Sequence, residues 1–478
     1  MHLDDGTTVN SAKTLNLSRT PIPGMLVLDL PVYGDGRGWF KENWQREKMV
    51  QLGLPDFRPV QNNVSFNSKA GTTRGIHAEP WDKFVSVASG RFFGAWVDLR
   101  AGDSFGTVFT AEIDASRAVF VPRGVGNAFQ TLEDCTAYTY LVNDHWSAGA
   151  QGEYTFLNLS DEQCAIPWPI PLSEAEMSAK DRHHPALGNV KPMEPRKVLV
   201  LGANGQLGRA LRKVYAELPW VEFASHQEFD VADKSAYSRK DWRRYGVVIN
   251  AAAYTAVDAA ETAEGRAAAW RINAQAAGYL ARIAEDHGIT LVHISTDYVF
   301  DGSRERHDEN EEFSPLSVYG QSKAAADVSV ATIPRHYIVR TSWVVGDGNN
   351  FVRTMASLAM RGVKPDVVDD QVGRLTFADD LARGIKHLID SRAPYGTYNV
   401  SNDGPPMSWA EIASTVYEKL GASRNDVRGV STEEYFSGKP NVAPRPRSSV
   451  LDLARIISVG YRPRHQIEAL SEYLSSRS

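Results

Sequence analysis

Tyr319 and Lys323 lie four positions apart in the stretch SVYGQSK, just before an alanine-rich run. On a helix such residues share one face, so the ammonium would lie close to the phenol. A lysine charge favours the phenolate and would move a tyrosine pKa of about 10 toward neutral pH. Such a pair suits delivery of a proton to the oxygen of a carbonyl that is being reduced. Tyr-x-x-x-Lys also occurs by chance on solvated helices, so its interpretation depends on the surrounding sequence.

The segment VLVLGANGQLG is a second pattern with chemical meaning. It places Gly202, Gly205 and Gly208 between a buried-type strand and a helix. Glycines there allow a tight turn, and the helix N-terminus favours a pyrophosphate; the alternative is a tight turn without a ligand. The next strand ends at Ser225 and His226 and lacks the carboxylate that would hydrogen-bond the ribose of NAD. The segment predicts a dinucleotide site for NADPH or NADH, with the preference open.

The composition excludes several classes of protein. The chain has 478 residues, 42% hydrophobic and 23% charged, which is typical of a globular protein with at least two domains. A net charge of −6 argues against nucleic acid as a partner. Its 2 cysteines exclude a disulfide scaffold, and MHLDDGTTVN at the start lacks the apolar run of a secretory signal. No stretch approaches the ~20 apolar residues of a membrane span. These features predict a cytoplasmic protein without a membrane partner.

The elements that position these residues change character near residue 190. Before it, short apolar and aromatic runs such as KFVSVASG and RFFGAWVDL are separated by Gly, Asp, Ser and Pro, which indicates an antiparallel sandwich or barrel. After it, buried-type strands alternate with helices such as RAAAWRINAQAAGYLARIAEDHG, where Gly288 is expected at the C-cap. This alternation predicts a parallel, doubly wound sheet. We therefore predict an all-β domain over residues 1–190, a linker over 191–196 and an α/β domain over 197–478.

The second half resembles the dTDP-4-dehydrorhamnose reductase family of extended short-chain dehydrogenases. The similar segments are GANGQLG, NAAAYTAVDAAE, STDYVFDG, YGQSK, RTSWVVG, DQVGRLT, GTYNVSNDGPPMSW and RPRSSVLD, which together cover nearly all of this half. The resemblance implies a Rossmann fold with a smaller substrate-binding part, and Thr296, Tyr319 and Lys323 as the catalytic set. Where the family usually has Gly-x-Pro-Thr, this chain has GRLT at residues 373–376. That difference is expected to alter a loop and not the chemistry.

The same resemblance implies which residues contact the cofactor and the substrate. Along the cofactor it places Gly202, Asn204, Gly205, Gln206, Leu207, Gly208, Asp230, Val231, Asn250, Ala251 and Ala252, together with Tyr319 and Lys323. Near the sugar and nucleotide of the substrate it places Thr255, Val257, Tyr298 and Trp343. Without the resemblance, Trp343 would be interpreted as core packing.

The first half resembles the dTDP-4-dehydrorhamnose 3,5-epimerase family, a cupin-like jelly roll that is usually dimeric. Residues 20–190 carry the similar segments DGRGWFKE, QNNVSFN, TTRGIH, KFVSVASGRFFGAWVDLR and FVPRGVGNAFQ. Protons beside a ketone can be removed when a base lies against them and the enolate oxygen has a positive partner. The resemblance implies four catalytic roles: His77 as the base, Asp98 as the group that orients its ring, Lys83 at the enolate oxygen and Tyr140 as the proton donor on the other face. It also implies a homodimer formed through this domain, with Arg37, Gln61, Asn63 and Arg74 holding the nucleotide diphosphate and sugar.

This half departs from its family at three places. Relatives commonly have Arg-Gly-Leu-His-x-Gln, Gly-Phe-x-His-Gly-Phe and a Trp-Asn-Asp segment. This chain has Glu79 for the glutamine, Asn127 for the second histidine and LNL at residues 157–159. A carboxylate near a diphosphate is repulsive unless it points away or pairs with an arginine.

Together the halves predict consecutive reactions on one sugar nucleotide. The first is 3,5-epimerisation of dTDP-4-keto-6-deoxyglucose, and the second is reduction of its C4 ketone to dTDP-L-rhamnose. Glu79 and Asn127 leave open a first half that only binds or dimerises beside a working reductase. Two further interpretations stay open: a regulatory subunit on a reductase fold, and both activities on another nucleotide sugar or at one centre only. No metal ligands are predicted, although Mg²⁺ is not excluded.

Overall fold

The computed structural model describes residues 14–146, 152–216 and 218–476. The chain divides into two compact units, Met1–Pro195 and Arg196–Ser478, and this division falls within the segment predicted as a linker. Met193, just before the division, is buried in the first unit and exchanges backbone hydrogen bonds with Leu99 and Ala101. The ordered first unit therefore extends past residue 190.

The first unit consists mainly of antiparallel strands. The six-stranded sheet has the order β1-β2-β10-β7-β12-β5, the five-stranded sheet has the order β13-β6-β11-β8-β9, and β3 and β4 form a separate hairpin. In chain order these elements are β1 (Asn16–Arg19), β2 (Leu26–Asp29), β3 (Val32–Asp35), β4 (Gly38–Lys41), α1 (Arg46–Gln51), β5 (Gln61–Asn67), β6 (Thr73–Ala78), β7 (Lys83–Ser89), β8 (Phe92–Asp98), β9 (Val108–Ile113), β10 (Arg117–Val121), β11 (Val125–Thr131), β12 (Thr136–Val142) and β13 (Thr155–Phe156).

Side chains from both sheets form one apolar core. Val85 and Tyr138 from the six-stranded sheet pack with Trp96 and Phe129 from the five-stranded sheet. Two antiparallel sheets with a shared core make a sandwich of the jelly-roll type. The fold predicted for the first half is confirmed.

The second unit combines a large sheet with helices and several two-stranded pairs. In chain order its elements are β14 (Lys197–Leu201), α2 (Gln206–Val214), β15 (Val221–Ala224), α3 (Lys234–Ser238), β16 (Tyr245–Asn250), α4 (Ala263–Ala269), α5 (Ala276–His287), β17 (Thr290–Thr296), α6 (Val318–Ala331), β18 (His336–Thr341), β19 (Val344–Val345), α7 (Phe351–Met360), β20 (Asp366–Val368), β21 (Val372–Gly373), β22 (Thr376–Phe377), α8 (Ala378–Asp390), β23 (Gly396–Asn399), β24 (Met407–Ser408), α9 (Trp409–Lys419), β25 (Arg428–Val430), α10 (Thr432–Phe436), α11 (Ala454–Ser458) and α12 (Gln466–Ser475). Among the described helices of the chain, none is both long enough and apolar enough to span a bilayer.

The large sheet is parallel, with the strand order β15-β14-β16-β17-β18-β23. Helices cover both faces: Leu280 and Val330 from α5 and α6 lie in one apolar cluster, and Leu211 and Leu388 from α2 and α8 lie in another. The chain passes from β14 to β15 and then returns to β16 on the other side of β14. Such a reversal opens a crevice at the carboxyl ends of the strands, where ligands bind in open α/β sheets. The predicted doubly wound fold is confirmed.

The alanine-rich segment expected as one helix consists of α4, a π-helical turn over Trp270–Gln275, and α5. Gly288 caps α5 with a φ of 60°, as predicted. The sequence does not predict the π turn, which contains the buried Asn273. The Asn273 side chain accepts a hydrogen bond from Tyr254 N at 2.8 Å and donates one to Ser322 Oγ at 2.9 Å. The turn therefore ties the loop after β16 to helix α6.

Candidate active sites

Tyr319 and Lys323 lie in the first turns of α6, which Ser317 caps by accepting a hydrogen bond from Gly320 N at 3.1 Å. Gly320 is required at this point, because a Cβ on it would lie 2.2 Å from the carbonyl oxygen of Tyr298. The Tyr319 ring packs edge-on against Tyr298, with 5.7 Å between the ring centroids. The start of α6 therefore fixes the position of both predicted catalytic side chains.

Thr296 ends β17, and its hydroxyl donates to Asp297 Oδ1 at 2.9 Å and accepts from Tyr298 N at 3.2 Å. Burial raises the pKa of Tyr319, Asp297 raises it further, and a hydrogen bond with Thr296 lowers it. Burial thus outweighs the lowering of this pKa that the sequence leads one to expect from Lys323. Tyr319 is held as the phenol, the form that gives up a proton.

Lys323 is buried among neutral partners. Its ammonium donates to the carbonyl oxygen of Ile294 at 2.5 Å and lies 3.3 Å from His293 Nε2. His293 Nδ1 is in turn 3.3 Å from Asn250 Nδ2. Burial lowers the pKa of Lys323 to about 8, against the opposing charge of Asp327, and burial also lowers the pKa of His293. Lys323 therefore carries its charge at neutral pH and loses it at mildly alkaline pH.

The loop between β14 and α2 fits a dinucleotide. Gly202 has a φ of 78°, and a Cβ on Gly208 would lie 2.3 Å from the Gly202 oxygen, so both positions require glycine. A Cβ on Gly202 would also lie 2.7 Å from Ala252 N, which places the segment after β16 directly against this loop. Gly205 precedes α2 without a side-chain cap, so the first N–H groups of the helix are left for a ligand.

The other predicted cofactor residues differ in what their side chains do. Leu207 and Val231 pack in the apolar clusters on the two faces of the sheet, and Gln206 accepts a backbone N–H at 2.7 Å from the turn after β19. Asn204 is exposed, and Asp230 accepts the backbone N–H two residues further on at 2.8 Å. Contacts of Leu207 and Val231 with a cofactor would therefore come from their backbone.

The predicted substrate residues of this unit surround Tyr319 unevenly. Val257 and Tyr298 pack with Tyr319 in one cluster, whereas Thr255 is exposed on the loop after β16. Trp343 has a φ of 44° and stacks on the tryptophan that begins α9, with 3.7 Å between ring centroids. The structure thus brings two of the four residues against Tyr319.

In the first unit, His77 lies near the end of β6 with its Nε2 3.0 Å from Asp181 Oδ1. Asp181 belongs to the short 3-10 helix Asp181–His183 and is 6% exposed. Burial would raise the pKa of Asp181, but the hydrogen bond and charge of His77 outweigh burial, so this pKa lies below its usual value. An ionised carboxylate on an imidazole orients the ring and stabilises the imidazolium.

Asp98 does not take the role predicted for it. Its buried carboxylate accepts hydrogen bonds from Arg100 Nε at 2.8 Å and from Ser104 Oγ at 2.8 Å. Asp98 ends β8, and β11 lies between β8 and β6, so two strand spacings, about 10 Å, separate it from His77. The prediction of Asp98 as the orienting group is wrong, and the carboxylate on His77 is that of Asp181. The signal for it was DRHHP, an acid beside two histidines in the proline- and charge-rich stretch before the linker.

Lys83 begins β7, and its ammonium lies 5.3 Å from the ring centroid of Tyr140 on the neighbouring β12. Lys83 Nζ also lies 2.6 Å from Glu79 Oε2, and the same oxygen accepts a hydrogen bond from Trp81 Nε1 at 2.6 Å. Burial and, after it, the charge of Glu79 raise the pKa of Tyr140 to about 12, against the lowering effect of Arg74. Tyr140 is therefore a phenol at neutral pH, as a proton donor must be.

A series of aromatic contacts joins the two ends of this site. His77 contacts Phe156, Phe156 contacts Tyr154, and Tyr154 contacts Trp81, with ring centroids 5.4, 5.8 and 5.5 Å apart. Glu79 follows His77 by two positions at the end of β6 and, in an extended chain, faces the same side. A continuous series of contacts therefore connects the predicted base with the predicted lysine and tyrosine.

Three of the four residues predicted to hold the nucleotide lie near Tyr140. Gln61 and Asn63 on β5 are hydrogen-bonded to each other at 2.8 Å, and Asn63 is paired with Tyr140 in the sheet. Arg74 on β6 is close enough to lower the pKa of Tyr140. Arg37, in contrast, lies on the β3–β4 hairpin with a side chain that is 91% exposed and paired with the aspartate two residues before it.

The departures from the epimerase pattern are accommodated in the core. Asn127 accepts a hydrogen bond from Trp96 Nε1 at 2.8 Å and donates one to the Tyr138 hydroxyl at 3.0 Å. Leu157 and Leu159 are buried in the apolar cluster behind β6 and β8. These three side chains therefore serve packing, and the His77–Asp181 hydrogen bond forms without them.

Among the described residues, one group could hold a metal ion: His77, Asp181 and His184, whose ligand atoms all lie within 4.8 Å of one another. Burial and the charge of His77 lower the pKa of His184. The absence of a metal from this chain stays a prediction.

Fold and geometry define the class of protein: a jelly-roll unit with an acid–base set suited to epimerisation, followed by a reductase unit of the short-chain dehydrogenase type. The family model described as "RmlD substrate binding domain" matches residues 196–478, and the model described as "dTDP-4-dehydrorhamnose 3,5-epimerase" matches residues 19–189. The chain belongs to the RmlD family, and its first unit belongs to the dTDP-4-dehydrorhamnose 3,5-epimerase family.

Individual relatives show the same division. "Protein RmlC homolog" of Streptococcus pyogenes is 52% identical over 180 residues, which are 37% of this chain and 90% of that protein. The dTDP-4-dehydrorhamnose reductase of Aggregatibacter actinomycetemcomitans is 36% identical over 276 residues, which are 54% of this chain and 92% of that protein. The crystal structure of dTDP-4-dehydrorhamnose reductase from Bacillus anthracis in complex with NADP is 34% identical, with a TM-score of 0.53, and the match covers 59% of this chain and 99% of that one.

Proposed function

We propose that this chain is a bifunctional enzyme that makes dTDP-L-rhamnose. The first unit inverts C3 and C5 of dTDP-4-keto-6-deoxyglucose, and the second unit reduces the C4 ketone of the product. The observation that supports the proposal is that each unit holds a group of side chains suited to acid–base chemistry. These groups are His77, Asp181, Lys83 and Tyr140 in the first unit and Thr296, Tyr319 and Lys323 in the second.

In the first unit, His77 removes a proton from a carbon beside the ketone, and Asp181 stabilises the imidazolium that forms. The ammonium of Lys83 stabilises the enolate oxygen. Tyr140 then returns a proton to the opposite face, which inverts the centre. Because C3 and C5 both flank the C4 ketone, the same enolate stabilisation serves both inversions.

In the second unit, NADPH would be held by the glycine loop and by the segments around Asp230 and Asn250, and it supplies a hydride when bound. The NADP complex of the Bacillus anthracis relative supports this cofactor. Tyr319 gives its phenolic proton to the oxygen of the reduced ketone. Thr296 positions that oxygen, and the charge of Lys323 stabilises the phenolate left behind.

A fused reductase keeps the second active site at high local concentration around the product of the first. Since the epimerisation equilibrium need not favour the product, removal by reduction draws it forward. Linking the two units on one chain therefore suits a labile ketone that must be trapped soon after it forms.

The test is incubation with dTDP-4-keto-6-deoxyglucose in deuterated water, with and without NADPH, followed by NMR of the products. Without NADPH we expect deuterium at C3 and C5, and with NADPH we expect dTDP-L-rhamnose. His77→Ala should stop deuterium uptake yet still oxidise NADPH when a separate epimerase supplies the ketone. Wild-type protein that takes up no deuterium would make the first unit a binding module. Failure to oxidise NADPH with the supplied ketone would favour a regulatory subunit.

We also propose a homodimer through the first unit. Its edge strand β5 exposes Val64 and Phe66 by 64% and 60%, and the β3–β4 hairpin exposes Tyr33 and Phe40 by 63% and 64%. Unpaired strand edges and apolar patches of this kind are typical of association surfaces. Light scattering should show a dimer for the wild type and a monomer for the double variant Val64→Glu, Phe66→Glu. Met360→Glu, at an exposed apolar residue of α7, is the control and should stay dimeric.

A further inference from the structure

Glu79 is a buried carboxylate in the first unit to which the proposed reaction assigns no role. It is 9% exposed, and its Oε2 is held by two donors at 2.6 Å, Lys83 Nζ and Trp81 Nε1. A carboxylate is seldom buried in this way without a paired charge. Here the paired charge is the ammonium that would stabilise the enolate, so Glu79 directly contacts a catalytic group.

The residue type at this position points to an electrostatic role. Glutamine has nearly the same shape as glutamate and is therefore the natural comparison. A glutamine oxygen can accept the same two hydrogen bonds from Trp81 and Lys83, but it carries no charge. What this chain adds with Glu79 is therefore a negative charge next to Lys83.

We propose that Glu79 is a positioning residue for epimerisation: it fixes the Lys83 ammonium in place and neutralises that charge beside Tyr140. This inference rests on the proposed function of the first unit and adds a residue to it.

Neutralisation matters because Tyr140 has to be protonated when it donates. A free ammonium 5.3 Å from its ring, together with Arg74, would favour the phenolate. Glu79 acts in the opposite direction: burial raises the pKa of Tyr140 to about 12, and Glu79 is the next largest contributor to that rise. The polar groups that face Tyr140 are Glu79 and Arg74 from the β6 side, Lys83 on β7, Asn63 on β5, Tyr138 on its own strand and Tyr154 before β13.

The experiment compares three variants of the full chain. Glu79→Gln removes only the charge, Glu79→Asp keeps the charge on a shorter side chain, and Glu112→Gln is the control at an exposed ion pair with Arg91. Two quantities are followed against pH: the rate of deuterium uptake at C3 and C5 without NADPH, and the ¹³Cζ NMR signal of Tyr140. The signal is assigned by its loss in Tyr140→Phe.

In Glu79→Gln we expect the Tyr140 signal to titrate about one pH unit or more below its wild-type position. The alkaline limit of deuterium uptake should move with it. The rate near neutral pH should fall on the order of tenfold, because a neutral hydrogen bond holds the Lys83 ammonium less firmly than the ion pair does and leaves its charge uncompensated. In Glu79→Asp the Tyr140 signal should titrate between its positions in Glu79→Gln and in the wild type. Glu112→Gln should change neither quantity.

A purely structural Glu79 would change the melting temperature without moving the Tyr140 titration, and that result would overturn the proposal. Wild-type protein without deuterium uptake would instead overturn epimerisation itself, and the NMR titration would still decide whether Glu79 controls Tyr140. Should Glu79→Gln not fold, the smaller shift expected for Glu79→Asp decides the matter, and an unshifted signal there would count against the proposal.

Discussion

Both units place a lysine near a tyrosine, but the two pairs are built in different ways. Lys83 and Tyr140 come from adjacent strands, and Lys83 is paired with the carboxylate of Glu79. Tyr319 and Lys323 come from one turn of α6, and Lys323 lies against a carbonyl oxygen and a histidine, with Asp327 acting on it through its charge. Burial raises both tyrosine pKa values, whereas the pKa of Lys323 falls to about 8. Burial thus dominates both tyrosine pKa values, and the two pairs differ in the group that holds the lysine: a carboxylate for Lys83 and a carbonyl oxygen for Lys323.

The largest expected effect separates the two tyrosines. Tyr319→Phe removes the hydroxyl that protonates the reduced oxygen, so NADPH oxidation should fall by roughly 10²- to 10⁴-fold. Deuterium uptake should stay at its wild-type rate, because Tyr140 serves that step. Tyr395→Phe, at a 45% exposed tyrosine outside the site, is the control for both assays. Reduction by Tyr319→Phe at nearly the wild-type rate would exclude Tyr319 as the proton donor.

The next largest effect compares two carboxylates in the first unit. Asp181→Asn should slow deuterium uptake by about two orders of magnitude or more, because the ring of His77 loses its orienting charge. Asp98→Asn should leave uptake per folded molecule near the wild-type rate. Its cost should appear in stability, about 1–3 kcal/mol, because the buried contacts with Arg100 and Ser104 are weakened. NMR measures the deuterium uptake and thermal unfolding measures the stability. If Asp98→Asn slowed uptake and Asp181→Asn did not, Asp98 would be the orienting group after all.

Alkaline pH should separate the two reactions. Because burial lowers the pKa of Lys323 to about 8, its ammonium is lost as the pH rises through that value. The kcat/KM for reduction reports the free enzyme and should therefore fall, by about tenfold per pH unit above the pKa. Tyr140, whose pKa burial raises to about 12, stays protonated over this range, so deuterium uptake should not share the decline. Profiles measured in parallel between about pH 7 and 10 test this, and a common decline would contradict it.

The smallest effect concerns the start of α6. Gly320→Ala forces a methyl group against the Tyr298 oxygen, which should destabilise the second unit by about 1–3 kcal/mol and slow reduction without affecting deuterium uptake. Gly278→Ala on α5 is the matched control. A Cβ there meets nothing within 4 Å, so this helix should gain about 0.4–1 kcal/mol. Thermal unfolding of both variants measures the difference, and equal shifts would remove the steric argument for Gly320.

Features that depend on neighbours in the sequence were predictable. The spacing of Tyr319 and Lys323, the glycine loop after β14 and the C-cap at Gly288 follow from the geometry of a single turn, and the structure contains all three. The alternation of strands and helices likewise predicted the parallel sheet. Two predictions made from local sequence are wrong because tertiary packing changes the outcome. A π turn interrupts the long helix around Asn273, and burial raises the pKa of Tyr319, which the sequence led us to expect to be lowered by Lys323.

In the first unit, several contacts of the predicted site residues could not be predicted from the sequence. The resemblance to the epimerase family implied His77, Lys83 and Tyr140. The structure places Lys83 beside Tyr140 and connects His77 to Trp81 through aromatic contacts. The prediction of Asp98 as the orienting group failed because it depended on the order of strands in a sheet, which no local pattern encodes. The pairing of Glu79 with Lys83 could not be predicted either, because the residues near Glu79 in the chain do not determine the direction of its carboxylate.

The amino-acid order is sufficient for the two fold classes, the nucleotide loop and the helical tyrosine–lysine pair, because helix and turn geometry act over a few residues. Tertiary structure alone decides that β11 separates Asp98 from His77 and that Asp181 lies against His77 across 104 positions of chain. It also decides that the charge of Lys83 is paired with the carboxylate of Glu79, whereas the ammonium of Lys323 is hydrogen-bonded to a carbonyl oxygen. Contacts of that range depend on strand order and on which side chains share a buried volume, and both are set only when the whole unit packs.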